Sequence, residues 1–230
     1  MPPDLSMEII QQRLDPVFQL SREIGHALGT PLAVVMGNIS RLKNRGLLDD
    51  DMNLALEDML LMTTKCVELQ RSLSSISRST PFQKAPFDLF PRLQFILENI
   101  FSGSSKSVVL ENQSELKKTQ FQVHVTSFEE LLRLIIQNAF DFTYSTGKLR
   151  IRYSRDVKNG LDQLHFIDDG SGIDSQTLQR VFDPFFSTKS MPNNHGLSLT
   201  QAVVILISHG GRIDVWQRNP GVEFVVSIPG

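Results

Sequence analysis

Two apolar stripes at helical spacing, separated by a turn, constrain this chain more than any other feature. Val17, Leu20, Ile24, Leu28, Pro31, Val35, Ile39 and Leu42 recur every three or four residues, which predicts one long amphipathic helix from about Leu5 to Leu42. Asn44-Arg45-Gly46 reads as a helix stop and turn. A second helix is predicted from Asp49 to Ile76, with Leu56, Met59, Leu60, Val67, Leu73 and Ile76 apolar. Asp49, Asp50 and Asp51 suit its electropositive N-terminal end. Two long helices joined by so short a turn form an antiparallel hairpin. A lone hairpin buries too little surface, so two copies are expected to pair into a four-helix bundle, making the protein a homodimer.

The pattern then changes. Ser77 to Pro86 carries two prolines and little periodicity, and reads as a linker. Beyond it helices and strands mix. Leu89–Phe101, Ser127–Phe142 and Gly196–Ser208 have helical spacing, while Leu149–Ser154, Asp162–Ile167, Arg212–Gln217 and Val222–Ile228 read as strands. The expected fold is therefore α plus α/β: a hairpin over residues 1–79, a linker over 80–86, and an α/β sandwich over 87–230 with helices on one face of a mixed sheet.

Composition removes several function classes. The formal net charge is −2, so no global basic field invites nucleic acid. The single Cys66 excludes an internal disulfide. No run approaches the ~20 apolar residues of a membrane helix, and Met1-Pro2-Pro3-Asp4 lacks the basic-then-apolar pattern of a signal peptide. A cytoplasmic protein with no membrane insertion is the expectation.

Chemistry-bearing residues fall into five strings. His26-Ala27-Leu28-Gly29-Thr30-Pro31 lies on the first helix. His26 sits two residues from both Ile24 and Leu28, roughly 160–200° around the helix from them, and so faces solvent. Gly25, Gly29, Ala33 and Gly37 add small residues on its side. Glycine costs ~1 kcal/mol relative to alanine in a helix, so three of them ask for a reason, and open access to His26 supplies one. Thr30 lies one turn beyond His26, on the same face. The other strings are Gln137-Asn138-Ala139, Asp168-Asp169-Gly170-Ser171-Gly172, Phe182-Asp183-Pro184-Phe185-Phe186-Ser187-Thr188-Lys189, and His195-Gly196-Leu197-Ser198-Leu199. Gly170 and Gly172 allow a tight turn after a strand. Gly196, Leu197 and Ser198 open a helix whose N–H groups suit phosphate.

In this order the five strings resemble the catalytic core of bacterial sensor histidine kinases, whose ATP-binding domain is of the Bergerat type. The Phe-x-Pro-Phe-Phe-x-Thr-Lys string is similar to the nitrogen-sensing branch. The resemblance spans roughly Val17 to Ile228. It implies that His26 is phosphorylated from ATP and passes the phosphoryl group to an aspartate on a response-regulator receiver domain, with Thr30 helping to align water for dephosphorylation. It implies that Asn138 binds the Mg²⁺ bridging the ATP phosphates and that Asp168 accepts a hydrogen bond from the adenine amino group. Lys189 meets phosphate, and residues 190–195 form a mobile lid. The input signal is expected from a separate sensor protein. Three departures stand out. Ala27 replaces the acid that usually follows the histidine, a loss of ~10²–10⁴ in rate unless a group such as Glu23 substitutes. Leu134 replaces an asparagine, and Gly196 is the one glycine kept where three are usual, Asn194 and Ser198 holding the outer places. Reduced kinase activity is the expectation. The alternative is a degenerate phosphotransfer or docking scaffold. Other ATPases of the superfamily, such as gyrase, lack the hairpin.

Overall fold

A computed structural model of the chain describes residues 12, 14, 28–44, 50–76, 83–188 and 196–230. The first helix, α1, is described over 28–43, and α2 runs Asp50–Ile76. They are antiparallel. Lys43 pairs with Glu57 at 3.2 Å near the turn, and Gly29, farther back on α1, faces Gln70, farther along α2. Ile39 and Leu56 are buried, while Leu28, Val34, Val35, Leu42, Met52, Leu54, Met59, Leu61 and Met62 are exposed. Much of the α1 stripe therefore lies uncovered in the single chain.

The second body follows as β1 (Ala85–Asp88), α3 (Leu89–Phe101), β2 (Ser107–Leu110), α4 (Gln113–Leu116), β3 (Gln120–Val123), α5 (Val125–Phe142), β4 (Lys148–Asp156), β5 (Leu161–Asp168), α6 (Ser175–Arg180), α7 (Ser198–Ser208), β6 (Arg212–Gln217) and β7 (Val222–Pro229). The main sheet has the order β2-β4-β5-β7-β6, parallel between β2 and β4 and antiparallel elsewhere. β1 and β3 form a separate antiparallel pair. Ala85 and Pro86, read from sequence as the end of a linker, stand opposite Val123 and Gln122 in that pair.

α5 is the centre of the helical layer. Phe128, Leu131, Leu132, Ile135, Ile136 and Ala139 recur at helical spacing and are all buried. Its first turn is capped by His124, whose Nδ1 accepts from Ser127 N–H at 3.3 Å. α5 packs on β5, with α3 and α7 beside it, and α2 of the hairpin packs on α7. Phe87 and Phe121 meet Phe128 edge-on at 5.2 and 5.5 Å between ring centroids, which ties the small sheet to α5.

The other face of the main sheet is polar. Glu223, 1% exposed, accepts from Arg218 through Nε at 2.7 Å and through Nη2, while His165 Nδ1 lies 2.8 Å away. Burial opposes ionisation of Glu223, but Arg218 and His165 outweigh it and hold the carboxyl below its usual range.

A second buried polar joint closes the helical layer. His209, which follows α7, accepts the His124 backbone N–H on Nε2 at 3.2 Å. Its proton must then sit on Nδ1, which donates to Ile205 O at 2.7 Å. Burial, with His124 and Lys84 nearby, pushes its pKa below 6.5. The folded chain thus takes up this proton less readily than the unfolded one. The stabilising bond is complete above the unfolded value and is lost as pH falls below it toward the folded value. The thermal midpoint is expected to fall between pH 7 and pH 5. His209→Gln, which cannot take a proton there, should show a shallower pH dependence in the same melts.

Candidate functional site

A cavity of about 400 Å³ opens between α5, the end of β5, the segment through α6 to residue 188, the start of α7 and the start of β7. Its wall includes Asn138, Asp168, Gly172 and Ile173 on one side, and Phe186, Thr188, Gly196 and Ser198 on the other.

Asp168 ends β5 and is 3% exposed. Its Oδ1 accepts two backbone N–H groups, from Gly170 at 2.9 Å and from Val222 at 3.3 Å. Both bonds fall on one oxygen, so Oδ2 retains acceptor capacity for a ligand. Burial pushes the Asp168 carboxyl up, and the two N–H bonds only partly offset this. Gly221 closes the approach from behind. It has φ +90°, and a Cβ there would fall 1.9 Å from the Asp168 carbonyl oxygen. Asp169 points away, its Oδ2 accepting Lys148 N–H at 2.9 Å.

Asn138 is half-buried on α5, with Ile135 and Ala139 buried beside it. Leu134, one turn earlier, is packed in the core. Among the described residues no cluster of three or more His, Cys, Asp or Glu could hold a metal ion. Asn138 is the candidate that the sequence offers on this wall for a hard cation.

The aromatic string divides its work. Phe182 is buried, and its carbonyl accepts from Thr200 Oγ1 at 3.1 Å, which fastens the string to α7. Phe186 lines the cavity with the Arg180 guanidinium 4.4 Å from its ring centroid. Phe185 is exposed. Gly196 brings the chain back flat against the Phe185 and Phe186 backbone, where a Cβ would lie 2.6 Å from Phe186 O. α7 begins two residues later at Ser198, which also lines the cavity.

Of the residues singled out from sequence, Asn138, Asp168, Gly172, Gly196 and Ser198 line one cavity. Gly170 is buried beneath it, against Phe142 O, and Leu197 is a buried residue at the α7 N-cap position. Thr30 is exposed on α1. His26, Ala27, Glu23, Lys189 and the 190–195 segment lie outside the described residues. The sequence reading passed over Ile173, Thr177, Val222 and Phe224 in the wall. Val222 is legible as the start of a predicted strand, but its contact with Asp168 is not.

Comparison with known proteins places this geometry. Residues 123–230 match the family described as histidine kinase-, DNA gyrase B-, and HSP90-like ATPase. The signal transduction histidine-protein kinase BaeS of Escherichia coli is 27% identical over 90% of this chain and 45% of its own length. The two-component sensor PprA of Pseudomonas aeruginosa is 24% identical over 90% of this chain and 23% of its own. The chain spans half or less of the length of these and the next curated relatives. Full-length ShkA in complex with AMPPNP superposes with a TM-score of 0.74 at 18% identity, over 92% of this chain and 45% of that one. The histidine kinase AdeS of Acinetobacter baumannii gives 0.56 at 20% identity, over 89% and 97%. The fold is similar to that of these solved histidine kinases, residues 123–230 match the named ATPase family, and similarity to two-component sensor kinases extends over most of the chain.

Because the folded pKa of Asp168 lies above its unfolded value, this group's contribution to stability falls as pH rises from 3.8 through the folded value, and it stays reduced at neutral pH. Asp168→Asn keeps an oxygen for Gly170 and Val222 but loses the charge and the free acceptor. It is expected not to lower the thermal midpoint at pH 7 while weakening ATP binding by about 10- to 100-fold, measured by calorimetry. Gly221→Ala should do the opposite to the fold, costing about 2–3 kcal/mol in denaturant unfolding.

Proposed function

We propose that the chain is the catalytic core of a sensor histidine kinase of the nitrogen-sensing type, which phosphorylates His26 from ATP. The observation that carries this reading is Asp168, a nearly dry carboxylate in a cavity wall, held by two N–H groups on one oxygen. An adenine amino group is a fitting donor for the other. The cavity volume suits a nucleotide, and the α7 N-terminus offers N–H groups to its phosphates. Mg²⁺, when bound, neutralises phosphate charge, and the Asn138 amide oxygen would hold it. His26 acts as a neutral imidazole. One ring nitrogen attacks the γ-phosphorus, the bond to the β–γ bridging oxygen breaks, ADP leaves with that electron pair, and the ring proton passes to a base. With Ala27 next to His26, Glu23 is the nearby base.

The uncovered apolar residues of α1 and α2 favour a homodimeric four-helix bundle over 1–79, with 80–86 joining it to the ATP-binding domain over 87–230. The phosphoryl group then passes to a receiver-domain aspartate, Thr30 positioning water for the reverse hydrolysis. Lys189, with the 190–195 segment, lies outside the described residues and is the phosphate contact of this reading. The protein works in the cytoplasm. No helix among the described residues is long and apolar enough to cross a membrane.

Incubation with γ-labelled ATP and Mg²⁺ tests this. Acid-labile label is expected on the wild type and only background label on His26→Ala. Equal labelling of both proteins overturns the assignment of His26. ATP binding without any label points to a kinase that needs an activator, whereas neither label nor ATP binding points to the scaffold reading, which Ala27, Leu134 and the reduced glycine motif favour.

A further inference from the structure

The loop after Asp168 is fastened at its near end by Asp168 itself, which takes the Gly170 N–H. Its far end, Gly172 and Ile173, also belongs to the cavity wall and needs a fastening of its own. The Ile173 N–H donates to the side-chain Oε1 of Gln217, the last residue of β6, at 3.2 Å. The same amide lies against Gly172. A Cβ there would fall 2.7 Å from Gln217 Nε2, and Gly172 has φ +77°. The turn between β6 and β7 places Gln217. Arg218 N–H donates to Gly221 O at 2.9 Å, and the Arg218 guanidinium is fixed on buried Glu223. One turn therefore grips the loop at both ends: Val222 N–H holds Asp168, and Gln217 holds Ile173. Gln217 is not part of the cavity wall, so whatever it contributes passes through the loop.

We propose that Gln217 is a positioning residue that sets the nucleobase end of the nucleotide site and so its preference for a 6-amino purine. The proposal rests on the nucleotide reading of the cavity. Asp168 and the 170–173 loop meet the base, whereas Asn138 and the α7 N-terminus meet the phosphates. Loss of the Gln217 bond lets the loop leave the geometry in which the Asp168 oxygen and the loop backbone fit one base edge. A base with a 6-amino group needs that geometry and loses affinity with the fraction of competent loop, whereas a base without the amino group does not depend on it and is weakened less.

Displacement of a fluorescent ATP analogue from the full chain by ADP and by inosine diphosphate, which carries an oxygen in place of the 6-amino group, tests the proposal. The wild type should prefer ADP. Gln217→Ala should shrink that preference about 3- to 10-fold, as expected for one lost hydrogen bond, with the thermal midpoint unchanged. Gln217→Glu keeps an acceptor oxygen for Ile173 and should restore the preference. An unchanged preference in Gln217→Ala overturns the role of Gln217. So does an equal weakening of both ligands, which marks general damage. A wild type that takes up no nucleotide analogue overturns the reading of the cavity, and this proposal with it.

Discussion

The site depends on keeping one carboxylate ionisable in a place that disfavours charge. Asp168 sits where water hardly reaches, and two backbone N–H groups from different elements converge on one of its oxygens. One comes from the loop that follows it, the other from the start of the neighbouring strand β7. The arrangement requires β5 and β7 to be neighbours, and it requires a residue without a side chain at 221. The pairing of Ile167 with Glu223 secures the first condition, and the Glu223–Arg218–His165 network on the opposite face supports the same strand. Function and fold therefore draw on β7 in different ways: Val222 serves the cavity, while Glu223, the next residue, points away and anchors the turn. The carboxylate is a cost to the folded state that an asparagine would avoid, which is a common signature of a residue kept for its chemistry.

What could be read from the sequence follows the range of the interactions. α3 and β6 occupy the spans their periodicity predicts, Leu89–Phe101 and Arg212–Gln217. β4, β5 and β7 are each longer than predicted by one to three residues, since pairing extends strands beyond their alternating cores. β1, β2 and β3 escaped notice because each is four residues long, too short for a period of two to stand out. α6 is a short turn of helix defined by Asp174, whose Oδ1 accepts from Gln176 and Thr177, a cap that only the structure makes evident. Within the site, residues that form their geometry locally were legible: Asp168 at a strand end, Gly172 in the turn, Ser198 at a helix start. Gln217, Gly221 and Val222 were not, because their contacts with the 168–173 loop depend on strand register across more than forty residues.

The hairpin poses a different problem. Its sequence shows a clean stripe, and the structure leaves much of that stripe exposed in one chain, with Val35 at 45% and Leu42 at 43%. Apolar surface of this kind on consecutive turns is seldom left to water. Among the described residues of 1–79 the buried aliphatic side chains are Leu14, Ile39 and Leu56, and Leu14 belongs to the core cluster of the sheet domain. The two bodies thus differ: the sheet domain buries a large core, which Leu14 joins, and the described part of the hairpin presents most of its large apolar side chains outward.

α7 has a place in both bodies. One end starts at the cavity beside Gly196 and Ser198, its flank packs on α2, and its other end is locked through His209 to the start of α5. Eleven residues make a rod about 16 Å long. A rod held at one end and touched by two other parts of a molecule couples them by linkage. If a displacement of the hairpin shifts α7 and changes affinity in the cavity by some factor, then filling the cavity must shift the balance of hairpin positions by that same factor. A signal arriving along the hairpin and a molecule arriving in the cavity would then be two readings of one equilibrium.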